Sequence, residues 1–161
     1  MVRFFTTPKG MPLAKGNKGN HEGTQRELIL NMEFIAKYTV GIGDINYGGH
    51  LGNDKALIIF HDARIQFLNH FGLSELNIGE EKGIIMVDAQ IKYLHQVSLH
   101  DELSIEVDIE IENTKKFVVH YLVKNSQSQK EVISGTTGML CFDYAVQKVR
   151  QIPDSFVNLF E

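Results

Sequence analysis

The chain has 161 residues, of which 43% are hydrophobic and 22% charged, a composition typical of one globular domain with a sizeable core. The formal net charge is −4 at pH 7; residues 1–20 carry +4 with no acidic residue, so the remainder carries −8. An acidic body argues against a nucleic-acid scaffold, and no apolar run approaches the roughly 20 residues of a membrane span. The single cysteine, Cys141, lies in the apolar run MLCF, so we interpret it as a core residue of a cytoplasmic protein.

Residues 1–30 are rich in Gly and Lys and show no periodicity, which predicts a flexible basic tail ahead of one folded domain over residues 31–161. The run MEFIAKYTVGI, from Met32 to Ile42, predicts the first strand.

A long helix is predicted from Asn53 to Phe71, because apolar residues recur there at about 100° per residue. Asn53 is a suitable N-cap, and Gly72 is a suitable C-terminal stop. Ile58 and Ile65 widen the apolar arc beyond what one sheet face covers, which predicts at least a dimer.

Four further strands follow the helix, and LSIEVDIEI alternates apolar and polar residues throughout. The predicted strands are Gly83 to Leu94, Leu103 to Ile111, Phe117 to Val123 and Val132 to Phe142, with a short helix at DSFVNLF. One apolar helix lying on five antiparallel strands predicts an α+β fold with one buried sheet face.

The junction GDINYGGHLGND, residues 43–54, lies where the first strand leads into the buried helix. A helix N-terminus offers unpaired N–H groups and a partial positive charge, and glycines let a carbonyl approach them. This is what stabilising an oxyanion during acyl transfer requires. The alternative is a glycine-rich turn with ordinary polar groups. His95, His100 and His120 lack metal-ligand spacing, so we expect no metal site.

GDINYGGHLGND, followed by HDARIQFLNHFG, resembles the 4-hydroxybenzoyl-CoA thioesterase-like branch of the hotdog fold. That branch typically reads Asp-x-Asp-x-x-Gly-His-x-x-Asn and then a helix with Glu-x-Ala-Arg. The matching residues are Asp44, Gly49, His50, Asn53, Ala63 and Arg64. IIMVDAQIKYLHQ and GTTGMLCFDY are similar to later strands of the family, so the likeness covers roughly residues 30–155. The resemblance implies a hotdog dimer, or a dimer of dimers, that hydrolyses acyl-CoA thioesters without a cofactor at subunit-interface sites.

Two departures prevent the family mechanism from being transferred unchanged. Asn46 stands where one branch has its catalytic Asp, and His61 stands where another has a helix Glu. Asn cannot accept a proton at neutral pH, whereas imidazole, with an ordinary pKa of about 6.5, can. The catalytic candidates are therefore Asn46, His50, Asp44 and His61, and the substrate-binding candidates are Asn53, Gly49 and Tyr47.

We expect water to attack the thioester while the Asn53 N–H stabilises the oxyanion, Asn46 orients water or carbonyl, and His50 or Asp44 takes the proton. Alternatively, His50 has a structural role and stabilises the turn through a hydrogen bond to the backbone. His61 is expected on the apolar arc, facing protein or a partner subunit. Arg64 lies near the buried stripe, so we expect a carboxylate or backbone oxygens to pair it.

Two other functions remain open. A hotdog enoyl-CoA hydratase has the motif Gly-Asp-x-Asn-Pro-x-His, but here Tyr47 replaces Pro and the histidine comes one residue late. The second alternative is a non-catalytic acyl-binding hotdog protein, which is compatible with the absence of both usual carboxylates.

Overall fold

The computed structural model describes residues 34–160, so the predicted tail over residues 1–30 lies outside the described part of the chain. The strands are Ile35–Thr39 (β1), Gly83–Tyr93 (β2), Glu102–Ile111 (β3), Lys116–Asn125 (β4), Glu131–Asp143 (β5) and Lys148–Val149 (β6). The helices are Lys55–His70 (α1) and Asp154–Phe160 (α2), with a 3-10 turn at Ile42–Asp44.

The strands form one antiparallel sheet in the order β1-β3-β4-β5-β2, and the short β6 pairs with β5. Alternate residues of β4 are buried, as the period of two in its sequence requires for a sheet with one face covered. The predicted α+β architecture, one long helix on five antiparallel strands, is confirmed. β2 is an edge strand, so one side of its backbone has no neighbouring strand among the described residues.

α1 packs its apolar face on the centre of the sheet. Phe60 is fully buried and stacks on Tyr121 of β4, with ring centroids 4.2 Å apart and an interplanar angle of 5°. Gly135 of β5 lies directly beneath, since a Cβ there would come within 2.7 Å of the Phe60 ring. The absence of a side chain at this position therefore lets the helix approach the strand closely.

The ends of α1 confirm one prediction and correct another. Gly72 adopts φ +71° just after the helix, the left-handed conformation expected of a glycine stop. Asn53 is not the N-cap: the helix begins at Lys55, Asp54 occupies the cap position, and no side chain caps the helix. The backbone donors of this end are thus left without a side-chain acceptor, which bears on the site below.

The exposed side of α1 is also apolar. Leu57, Ile58 and Ile65 are 36%, 46% and 38% exposed, and Met86 and Val87 of the edge strand are about half exposed. Cys141, in contrast, is fully buried, as predicted, and burial raises the pKa of its thiol. Within residues 34–160, no helix is long and apolar enough to cross a membrane.

Candidate active site

Asp44 serves as a structural acceptor at the start of the junction. Its Oδ2 accepts hydrogen bonds from the Tyr38 hydroxyl at 3.0 Å and from the Gly41 N–H at 2.8 Å. Burial, together with the hydrogen bond and charge of Asp44, raises the pKa of Tyr38 to about 12. The Asp44 carbonyl also accepts from the Gly52 N–H at 2.8 Å, so this residue closes the base of the loop.

Asn46 organises the tip of the same loop. Its side-chain Oδ1 accepts from the N–H groups of Gly48 at 2.8 Å and His50 at 3.4 Å, and its own N–H donates to the His50 carbonyl at 2.7 Å. Gly49 adopts φ +81°, which a glycine tolerates without strain, and Tyr47 is fully exposed at the tip. These bonds hold the Asn46 amide in place, and its nitrogen has no acceptor within residues 34–160, so it can donate to a ligand.

A cavity of about 770 Å³ opens where this loop reaches α1. Asn46, His50 and Asn53 all line it, together with Tyr93 at the end of β2. The Tyr93 hydroxyl donates to the backbone carbonyl of Asn53, and within residues 34–160 the Asn53 N–H has no hydrogen-bond acceptor. The structure thus brings Asn46, His50 and Asn53 to one cavity at the electropositive end of the helix.

His61 lies in a different place, beside a second cavity of about 450 Å³ on the exposed side of α1. Its Nε2 is 2.9 Å from Oε2 of Glu75, which lies between α1 and β2. The His61 side chain is 54% exposed, so His61 is not buried in the core of its own chain. Leu57 and Ile58 line the same cavity, which places His61 within the apolar exposed face as predicted.

Arg64 is 6% exposed and pairs with a carboxylate, as predicted. Its Nε donates to Glu75 Oε1 at 2.7 Å, and its NH1 nitrogen donates to the Tyr121 hydroxyl at 3.0 Å and to Thr137 Oγ1 at 3.4 Å. Although burial alone would lower the pKa of this guanidinium, Tyr121 and Glu75 raise it above its ordinary value. A charged Arg64 therefore holds Glu75 against the sheet.

Nothing in the local sequence marks Glu75 as a functional residue. It lies in an irregular connector, where no periodicity indicates which way a side chain points. The only available signal is chemical: a buried Arg64 requires an acceptor, and Glu75 is one of several acidic residues that follow α1. No group of three or more His, Cys, Asp or Glu side chains within residues 34–160 is arranged to hold a metal ion.

The long helix on a five-stranded antiparallel sheet, with a polar loop and a cavity at the helix N-terminus, defines a hotdog domain suited to acyl chemistry. Residues 40–160 match the family model of the Thioesterase-like superfamily, and the chain belongs to this family. Its enzyme class is accordingly thioester hydrolase.

The relatives support the fold. The uncharacterised protein YsmA of Bacillus subtilis is 24% identical over 104 residues, covering 65% of this chain and 69% of YsmA. Slr0204, a 1,4-dihydroxy-2-naphthoyl-CoA thioesterase from Synechocystis, superimposes with a TM-score of 0.70 at 20% identity, covering 78% of this chain and 93% of Slr0204. SAV2348 from Staphylococcus aureus, whose structure contains CoA, superimposes with a TM-score of 0.68 at 19% identity, covering 78% of this chain and 80% of SAV2348.

Proposed function

We propose that this protein hydrolyses acyl-CoA thioesters to a free acid and CoA, with its active sites at the interface of a homodimer. The observation that carries the proposal is the cavity at the start of α1, which Asn46, His50 and Asn53 line together, and within residues 34–160 the Asn53 N–H has no acceptor. A thioester carbonyl bound there would accept from this N–H, and the helix dipole would stabilise the oxyanion that forms. The CoA bound to a protein of similar fold supports CoA as the leaving thiol.

In this reaction a water oxygen bonds to the carbonyl carbon as a base takes the water proton. The C–S bond then breaks, and the CoA thiolate receives the proton. Asn46 can orient the water or the carbonyl through its side-chain amide nitrogen. Asp44 is less suited to be the base, because its carboxylate already accepts from Tyr38 and Gly41. Two imidazoles remain as proton acceptors: His50 in the same cavity and His61 beside the second one.

The proposed dimer interface is the exposed apolar side of α1 with the edge strand β2. Dimerisation there would remove four exposed apolar side chains from water: Leu57, Ile58 and Ile65 on the helix and Met86 on β2. His61 belongs to the same face. It lies six residues beyond the start of α1, roughly 9 Å along the axis, too far to act on a carbonyl held by Asn53 of its own chain. In a two-fold dimer it would instead act on the carbonyl bound by the partner subunit.

The test is hydrolysis of a panel of aliphatic and aromatic acyl-CoAs, followed through the released thiol. We expect turnover by the wild type and a fall in kcat of roughly 100-fold for Asn46→Ala. His120→Ala, at a partly buried position on β4 that lines neither cavity, is the control and should keep wild-type kcat. Thiol release that is unchanged in Asn46→Ala and His50→Ala would remove both residues from the mechanism.

The same experiment separates the two other candidate functions. Loss of the conjugated alkene of crotonyl-CoA without thiol release would indicate a hydratase. Saturable acyl-CoA binding without any turnover would indicate an acyl-binding protein.

A further inference from the structure

We infer that His61 and Glu75 together form the proton-accepting pair of this enzyme, with His61 as the base and Glu75 as its positioning residue. The inference rests on the proposed thioester hydrolysis. Neither carboxylate position of the resembled family is acidic here, because Asn46 and His61 occupy them. Glu75, in the connector after α1, reaches the place on the helix face where His61 stands.

The geometry determines which nitrogen of His61 is the base. Glu75 is an acceptor when ionised, so the 2.9 Å contact requires that Nε2 of His61 carry a hydrogen. The neutral ring then has its lone pair on Nδ1, which has no hydrogen-bond partner within the described residues. Because the ring lines the second cavity, Nδ1 is available to a water molecule there.

Glu75 is itself rigidly held. Its other oxygen, Oε1, accepts from Arg64, and Arg64 is anchored to Tyr121 and Thr137 of the sheet. Glu75 is 27% exposed and Arg64 is 7% exposed in their side chains, so little water competes for their contact. The carboxylate can therefore orient the His61 ring without losing its own position, as the third member of a catalytic triad does.

His50 is the competing base, and its surroundings disfavour it. Its Nδ1 is buried and has no hydrogen-bond partner within residues 34–160. A histidine that accepts a proton carries hydrogen on both nitrogens, so a protonated His50 would have a buried N–H without an acceptor. A protonated His61 would keep one N–H on Glu75 and direct the other toward the cavity. Proton transfer from water to His61 Nδ1, and from there to the departing thiolate, leaves no donor unpaired.

The first experiment is independent of turnover. Two-bond ¹H–¹⁵N spectra of the imidazole rings in the full-length protein report which nitrogen carries the hydrogen. We expect neutral His61 to be in the Nε2–H form in the wild type and to become a mixture of both tautomers in Glu75→Gln. A mixture in the wild type would overturn the inference, even if the protein hydrolyses acyl-CoA.

The second experiment measures kcat and KM on the best acyl-CoA of the panel. His61→Gln should lower kcat about 100-fold, and Glu75→Gln about tenfold or more, with KM within about twofold of wild type. Glu75→Asp should recover part of the loss, because a carboxylate is retained. A purely structural role for Glu75 predicts an unchanged kcat in the folded fraction of each variant, and that outcome would overturn the inference.

The chain offers a matched control for these variants. His120 Nε2 is also 2.9 Å from a glutamate oxygen, Oε2 of Glu110, on the sheet surface away from both cavities. His120→Gln and Glu110→Gln remove the same kind of contact, and both should retain wild-type kcat. A wild type without turnover on any acyl-CoA would refute the proposed hydrolysis, whereas normal turnover in Glu75→Gln would refute only the His61–Glu75 assignment.

Discussion

The hydroxyl of Tyr93, the last residue of β2, donates a hydrogen bond to the backbone carbonyl of Asn53, just before α1. This contact joins the edge strand to the peptide segment whose N–H we assign to the oxyanion. Tyr93 is half exposed, so the bond adds little to stability, but it restrains the peptide between residues 53 and 54, which adjoins the peptide that carries the Asn53 N–H.

We therefore expect Tyr93→Phe to lower kcat by about three- to tenfold through a less well oriented donor. The free energy of unfolding should fall by no more than about 1 kcal/mol, because only one partly exposed hydrogen bond is lost. Steady-state kinetics and urea denaturation of the same preparation measure both quantities. Wild-type kcat in Tyr93→Phe would show that the Asn53 peptide needs no support from β2.

Arg64 is expected to be a major determinant of stability. Arg64→Ala leaves Glu75 without its main cation and deprives the Tyr121 hydroxyl of a buried donor, so unfolding should become easier by about 3–5 kcal/mol. Lys124→Ala is the control, since Lys124 pairs with Glu106 in a more exposed setting and should contribute at most about 1 kcal/mol. Urea denaturation compares the two variants, and equal losses would argue against a special role for the buried pair.

The proposed dimer interface predicts a change in oligomeric state. Placing a charge on the exposed face of α1, as in Ile58→Asp or Ile65→Asp, would require a desolvated carboxylate in the interface. Sedimentation velocity at micromolar concentration should show a dimer for the wild type and a monomer for these variants. Val146→Asp, at an equally exposed apolar residue in the turn before β6, should remain dimeric. A monomeric wild type would disprove the interface.

Sharing of the active site between subunits can be tested by mixing variants. Asn46→Ala and His61→Gln homodimers should each be nearly inactive. When the two variants are co-expressed, each heterodimer has one site with both wild-type residues and one site with neither. Random pairing makes about half of the dimers heterodimers, so activity should recover to about a quarter of wild type. No recovery, despite heterodimers demonstrated by mass spectrometry, would mean that both residues act from one chain.

The order of the elements could be predicted because helices and strands are governed by local periodicity. LSIEVDIEI alternates with period two and became β3, whereas apolar residues at helical spacing became α1. Because Asn is a good cap, the sequence predicts that α1 starts at Asn53, but the helix starts at Lys55 and the loop before it is closed by backbone hydrogen bonds. Such a competition between one side chain and several backbone contacts is not visible in local sequence.

The candidate site, like the fold, was predictable only in part from local sequence. From sequence alone, the polar residues and glycines of the junction GDINYGGHLGND, which precede a buried helix, indicate the location of the site. The structure agrees with this location, because Asn46, His50 and Asn53 line one cavity. Only the tertiary structure decided that Glu75 meets His61, fourteen residues away, and that Tyr93 meets Asn53, forty residues away. These contacts depend on the packing of the whole chain, because an irregular connector and a strand end have no periodicity of their own to direct a side chain. Local sequence preferences therefore determine where helices and strands form, and the close packing of the folded domain determines which of their polar side chains work together.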